Sequence, residues 1–201
     1  MDREEKIRHI QKIAFNLFLD NGYEATTIRK ICIKAKVEAP SIYNFFGSKK
    51  GLFLSVVSSL WEKYTEESNC YFSNTLGGSP DKKLFAYFNF SVRYTIENLD
   101  EARFFLRFSL FPPSELKKDI LHFLSQQQTY KLNQISSIVA DCVQKGLIII
   151  SPDQAIASFI KYVNNNTFDI VFTHWAPSEK ELLESWESFF TQLNGHRKIE
   201  L

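Results

Sequence analysis

The sequence predicts an all-α chain, and three observations predict it. Apolar residues recur at helical rather than strand spacing along nearly its whole length. Only 7 glycines and 6 prolines interrupt 201 residues, too few for the turns of an all-β fold. Capping residues bracket the periodic stretches. The 44% hydrophobic and 23% charged content is that of an ordinary folded domain and excludes disorder. A chain of this length buries enough surface to fold without a metal or disulfide staple.

About nine helices are expected. In residues 4–20, Ile7, Ile10, Ala14, Leu17 and Phe18 share one face, and Asn21-Gly22 ends the stretch. Thr26 or Thr27 caps a short second helix carrying Ile28, Ile31, Cys32 and Ala35 inward. After a turn at Lys36-Val37-Glu38, a third short helix runs from Ala39 to Phe45 with Pro40 in its first turn. A fourth spans Lys49 to Phe72. Gly77-Gly78-Ser79-Pro80 is the clearest loop. A fifth spans Asp81 to Asn98, and an aromatic sixth, Glu101 to Phe111, stops at Pro112-Pro113. A long seventh runs from Ser114 to Lys145. Leu147–Ile150 reads as a buried connector, since a lone strand has no partner. Ser151-Pro152 opens the eighth helix, to Thr173. The capping box Ser178–Glu181 opens the ninth, which Asn194-Gly195 closes.

Several classes drop out. The charged N-terminus has no signal-peptide pattern, and no run of 18 apolar residues exists to span a membrane. Cys32, Cys70 and Cys142 are odd in number and widely spaced, which suggests neither a disulfide framework nor a metal site. The reading is a cytoplasmic protein. No HExxH, Walker or Gly-rich dinucleotide motif appears, and the four histidines lie far apart, so no enzyme, cofactor or metal is expected. Net charge is +1, but unevenly placed. Residues 1–50 hold ten Lys/Arg against six Asp/Glu, net +4; the rest hold fourteen against seventeen, net −3. A basic front end on a mildly acidic body fits a polyanionic partner, or simply an uneven solvated surface.

Two short helices joined by a tight turn after a longer helix form a helix-turn-helix pattern, which any three-helix bundle could show. The residues are more specific. Ile10-x-x-Ile13-Ala14-x-x-Leu17-Phe18-x-x-x-Gly22-Tyr23-x-x-Thr26-Thr27-Ile28-x-x-Ile31, then Val37, then Ser41-Ile42-Tyr43-x-x-Phe46-x-Ser48-Lys49-x-x-Leu52, resembles the TetR family of bacterial transcriptional regulators. The likeness covers about fifty residues; the remainder matches only in length and helical character. It implies a DNA-binding domain over residues 1–48 and a ligand-binding and dimerisation domain over 49–201. It also implies a palindromic duplex operator and a homodimer.

Within this resemblance, Thr27 offers a hydroxyl or backbone N–H to a phosphate at a helix N-terminus. Ser41, Tyr43 and Asn44 lie outward on the third helix. Asn44 suits bidentate adenine readout or is simply solvated; Tyr43 reaches the duplex or packs. Lys49 resembles the family's phosphate clamp, and Lys36 and Lys50 add positive charge. The chain departs from the family at Glu38-Ala39-Pro40. Glu38 stands where a phosphate-binding Ser is usual and accepts instead from a cytosine amino group, if it reads DNA at all.

For the second domain, helices four to eight are expected to enclose a small apolar or aromatic inducer that releases the DNA. Tyr64, Phe88, Tyr94, Phe104 and Phe108 are candidate walls, although core packing is the commoner role for any one aromatic. Arg93, Gln128 and Asn165 are candidate orienting groups. Trp186, Phe189, Phe190 and Leu193, on the ninth helix, are expected at the dimer interface. A dimer controlled by a protein partner, or a helical binding module without DNA function, are the alternatives.

Overall fold

The computed structural model describes residues 2–74 and 78–194, which hold nine α-helices and no strand. They are α1 (Arg3–Ala25), α2 (Ile28–Ala35), α3 (Ala39–Phe46), α4 (Lys49–Ser73), α5 (Pro80–Glu97), α6 (Leu99–Leu110), α7 (Lys117–Gln144), α8 (Pro152–Thr173) and α9 (Glu179–Leu193). A 3-10 turn, Ser114–Leu116, precedes α7. Gly77 and Gly195, read from sequence as loop and stop, lie outside the described residues. The chain forms two compact units: residues 1–67 with 103–121, and residues 68–102 with 122–201. The helix-turn-helix of residues 1–48 thus belongs to a larger unit that also takes in the first part of α4 and a distant segment.

In the first unit, Asp2 caps α1 through a reciprocal box with Glu5. Ile10, Ala14 and Phe18 are fully buried along α1. The helix bends at Gly22, whose φ of 79° and ψ of 171° only glycine adopts readily. Ile31 and Ile42 close α2 and α3 over that face with no exposed surface. Much of the rest of the core is aromatic. Phe53 meets Phe18, Tyr23, Phe104 and Phe108 at ring separations of 5.2, 5.4, 5.5 and 4.7 Å. Such pairs add about 0.5–1.5 kcal/mol each beyond their buried area. Phe104 and Phe108, candidate cavity walls in the sequence, pack into the core of this unit. Tyr64 also belongs to it, stacked on Trp61 at 5.0 Å. An aromatic excess signals a core as readily as a cavity, and spacing alone does not distinguish them.

The second unit packs α5 against α8 and α9. Its core joins Leu84, Phe88, Val92, Val139, Cys142, Phe159, Trp186 and Phe190. The connector after α7 buries Ile148, and Ile149 donates its N–H to the Leu193 carbonyl at 3.0 Å. Phe88, also a candidate wall, is fully buried against Tyr162 and Trp186. The residues expected at a dimer interface pack within this chain. Trp186 and Phe190 are fully buried and Leu193 is 4% exposed, all inside their own protomer. Phe189 stacks on Tyr162 at 4.0 Å and 4°. The broad stripe of α9 is used up covering α5 and α8, so little of it remains for a second chain.

Candidate nucleic-acid interface and the cavities of the second unit

The α2–α3 pair is built by its caps. Thr27 has extended backbone and accepts from the Lys30 N–H at 3.2 Å, so its side chain starts α2. Lys36 ends α2 in the left-handed conformation, φ 54° and ψ 47°, and its side chain is exposed. Glu38 precedes α3 with extended backbone but makes no side-chain cap bond. Its exposed carboxylate is therefore left for another partner. Ile42 faces the core while Tyr43, 53% exposed, and Asn44 face outward. Ser41 accepts from Lys6 Nζ at 3.2 Å, which ties α3 to α1.

The two lysines at the start of α4 are engaged within the protein. Lys49 Nζ donates to the Tyr23 carbonyl at 3.1 Å and sits 4.0 Å from the centre of the Tyr23 ring. Lys50 pairs with Asp119 at 2.7 Å. The resemblance placed Lys49 on a phosphate and gave Lys50 only added positive charge. The structure joins them first to α1 and α7.

Two contributors to this site come from far along the chain. Arg107, on α6, donates through Nη1 to the Leu19 carbonyl at 2.9 Å. A Cβ added at Gly22 would lie 2.7 Å from Arg107 Nη2. Glu115 accepts from the Tyr23 hydroxyl. Burial, reinforced by that carboxylate, pushes the Tyr23 phenol above its ordinary pKa. No sequence signal joins residues 19–23 to residues 107–115; only the fold does.

Among the described residues, the second unit holds an aromatic-walled cavity and an open groove. A cavity of about 260 Å3 is lined by Phe72, Lys83, Tyr87, Gln134, Ser137, Ile138 and Asp141. One wall is flat, because Phe72 stacks on Tyr87 at 5.4 Å and 9°. A wider, open groove of about 580 Å3 runs along α7 and α8 and includes Gln128, Ile156, Ile160, Lys161 and Asn165. Gln128 and Asn165 are thus brought together, but away from the aromatic cavity. Arg93 is held outside both by Glu179 at 2.7 Å and Asn89 at 3.1 Å. Tyr94 lines neither and donates to Glu101 at 3.1 Å. Among the described residues no group of His, Cys, Asp or Glu fits a metal, and no helix is long and apolar enough to cross a membrane.

Residues 10–56 match the model of bacterial regulatory proteins, tetR family. This interval contains all of α2, α3 and the Lys49 junction. Over these residues the chain carries the DNA-binding domain of the tetR family. Its helix-turn-helix is therefore the TetR one, with Thr27, Tyr43 and Asn44 on the exposed side. The HTH-type transcriptional regulator HbdR of Aromatoleum sp. is 34% identical over 64 residues. That match covers 32% of the chain and 28% of HbdR's length. A TetR-like transcriptional regulator from Rhodococcus sp. RHA1 superposes with a TM-score of 0.74 at 14% identity, covering 97% of this chain and 99% of that one. AibR, solved with isovaleryl coenzyme A and operator DNA, gives 0.65 at 16% identity, covering 94% and 97%. A TetR regulator from Haloarcula marismortui gives 0.74 at 12% identity, covering 96% and 98%. At these identities the structures share the TetR fold along the whole chain.

Proposed function

We propose that the chain is a homodimeric transcriptional regulator that binds a palindromic DNA operator through α3 and releases it when a small ligand enters the second unit. The observation that carries the reading is the split on α3. Ile42 is fully buried while Tyr43 and Asn44 are exposed beside it. A helix anchored on one face and polar on the other can seat in a major groove. Glu38 and Asn44 would read base edges, Glu38 from a cytosine amino group and Asn44 from adenine. Thr27, Lys36, Ser41 and Tyr43 would meet the sugar-phosphate backbone.

Two-fold symmetry of the protein would match the symmetry of the site. With the α9 stripe buried, the contact surface would come from exposed apolar residues of α8 and α9: Phe168, Phe172 and Leu183. The ligand reading rests on the cavity beside Phe72 and Tyr87. At about 260 Å3 it lies just below the ~300–1,000 Å3 of drug-sized sites and suits a one- or two-ring molecule. A coenzyme A ester such as AibR's would not fit it. The α4 helix carries Lys49 near one end and Phe72 near the other, so both sites act on one element.

One observation favours control by a protein instead. Leu110, Phe111 and Leu121 stand 51%, 77% and 52% exposed, the kind of apolar surface a partner covers. Operator release separates the readings. DNA bound to the purified chain is challenged with one- and two-ring aromatic compounds. Release supports the ligand-gated version, and stabilisation of the protein without release contradicts it.

A further inference from the structure

The bend at Gly22 sets the direction in which α2 leaves α1, and residues far along the chain grip it from two sides. On one side the Arg107 guanidinium occupies the space where a Gly22 side chain would be, 2.7 Å from the Cβ position, and holds the Leu19 carbonyl at 2.9 Å. On the other, Glu115 accepts a hydrogen bond from the hydroxyl of buried Tyr23, the residue directly after the bend. Lys49 completes the grip by binding the Tyr23 carbonyl and ring. Thr26 donates to the Gly22 carbonyl at 2.7 Å and closes the turn into α2.

Arg107 and Glu115 are both exposed, so their hydrogen bonds to Leu19 and Tyr23 add only modestly to the stability of the core. What they do fix is an angle. We infer that Arg107 and Glu115 are positioning residues for DNA recognition, holding the Gly22 bend so that α2 and α3 present Tyr43 and Asn44 in the geometry an operator requires. They act through Leu19 and Tyr23, and neither needs to touch DNA. The segment 103–121 that carries them belongs to the same compact unit as the bend.

The inference rests on the DNA-binding reading, and its test has one arm that does not. Arg107→Ala, Glu115→Gln and Arg107→Lys are made in the full chain. The probes are the symmetric duplex recovered by selection with the wild-type protein and a scrambled duplex of equal length. Arg107→Ala and Glu115→Gln are expected to bind the symmetric duplex about tenfold more weakly. Binding to the scrambled duplex changes less than twofold, and the salt slope stays the same, because no phosphate contact is lost. Arg107→Lys keeps a donor for the Leu19 carbonyl and recovers part of the loss.

The second arm is amide hydrogen exchange without DNA. Exchange over residues 19–46 rises in Arg107→Ala while residues 122–193 are unchanged. Equal losses on both duplexes, or a reduced salt slope, would make Arg107 a phosphate contact and overturn the inference. So would unchanged exchange at the bend. If the wild type itself fails to prefer any duplex, the DNA reading fails, and the exchange arm alone decides whether the grip exists.

Discussion

Lys36 offers a substitution whose effects on folding and on DNA binding have opposite signs. It is a non-glycine residue at φ 54°, ψ 47°, and its N–H and that of Val37 both return to the Cys32 carbonyl at the end of α2. The left-handed conformation costs an L-residue about 1–2 kcal/mol. Glycine escapes that cost but gives back about 0.5–1 kcal/mol in unfolded-chain entropy. Lys36→Gly is therefore expected to stabilise the chain by about 0.5–1 kcal/mol, a rise of roughly 2–4 °C in Tm per kcal/mol at this size. Lys36→Ala keeps the backbone cost and gains nothing. Both variants lose the same exposed ammonium, so both should weaken operator binding and lower the salt slope by about one unit. Thermal unfolding of the three proteins, with fluorescence anisotropy against salt concentration, measures both quantities. A Gly variant no more stable than the Ala variant would refute the backbone argument. A slope unchanged in both would remove Lys36 from the DNA surface.

Other outcomes follow from the same geometry. Gly22→Ala costs about 1–3 kcal/mol through backbone conformation alone and displaces the Arg107 guanidinium. Arg107→Ala added to it should cost less than Arg107→Ala in the wild type, as denaturant unfolding will read; strictly additive costs would contradict the contact. Trp186→Ala, at a fully buried ring, should destabilise by about 3–5 kcal/mol and unfold the second unit rather than dissociate folded chains. Phe172→Asp, at a residue 63% exposed, should leave the fold intact and shift sedimentation toward monomers. Burial pushes the Cys142 thiol up to about 12, so below that pH it stays a protonated thiol; Cys70 is exposed. A thiol reagent at pH 8 should modify Cys70 in the folded chain and reach Cys142 only on denaturation. Labelling of native Cys142 would contradict its burial.

The helices were legible because their signals are local. Thr27, Ser151 and Ser178 cap where their side chains can reach the next turn, and the periodic stripes point inward as the spacing implies. The outward position of Tyr43 and Asn44 was legible for the same reason, through the buried Ile42 beside them. What the stripes could not say is which neighbour they meet. Phe104 and Phe108 read as cavity walls because their partner, Phe53, lies fifty residues away in the chain. Trp186 and Phe190 read as a dimer face because a stripe wide enough for a second chain is also wide enough for α5 and α8. Lys49 read as a phosphate clamp and Lys50 as diffuse charge because nothing in the sequence announces Tyr23 or Asp119 beside them. Long-range pairs of this kind are set by topology, which local pattern does not encode.

The central claim is that α3 reads a two-fold symmetric DNA site. The most direct measurement is selection of genomic fragments on the full-length chain, repeated with a Tyr43→Ala, Asn44→Ala double variant. The account predicts that the wild type enriches one symmetric sequence. Its half-site centres should lie about 34–36 Å apart, one helical turn. The double variant should lose that enrichment while keeping salt-sensitive binding to any duplex. Enrichment of no symmetric site by the wild type, or of the same site by both proteins, would contradict it.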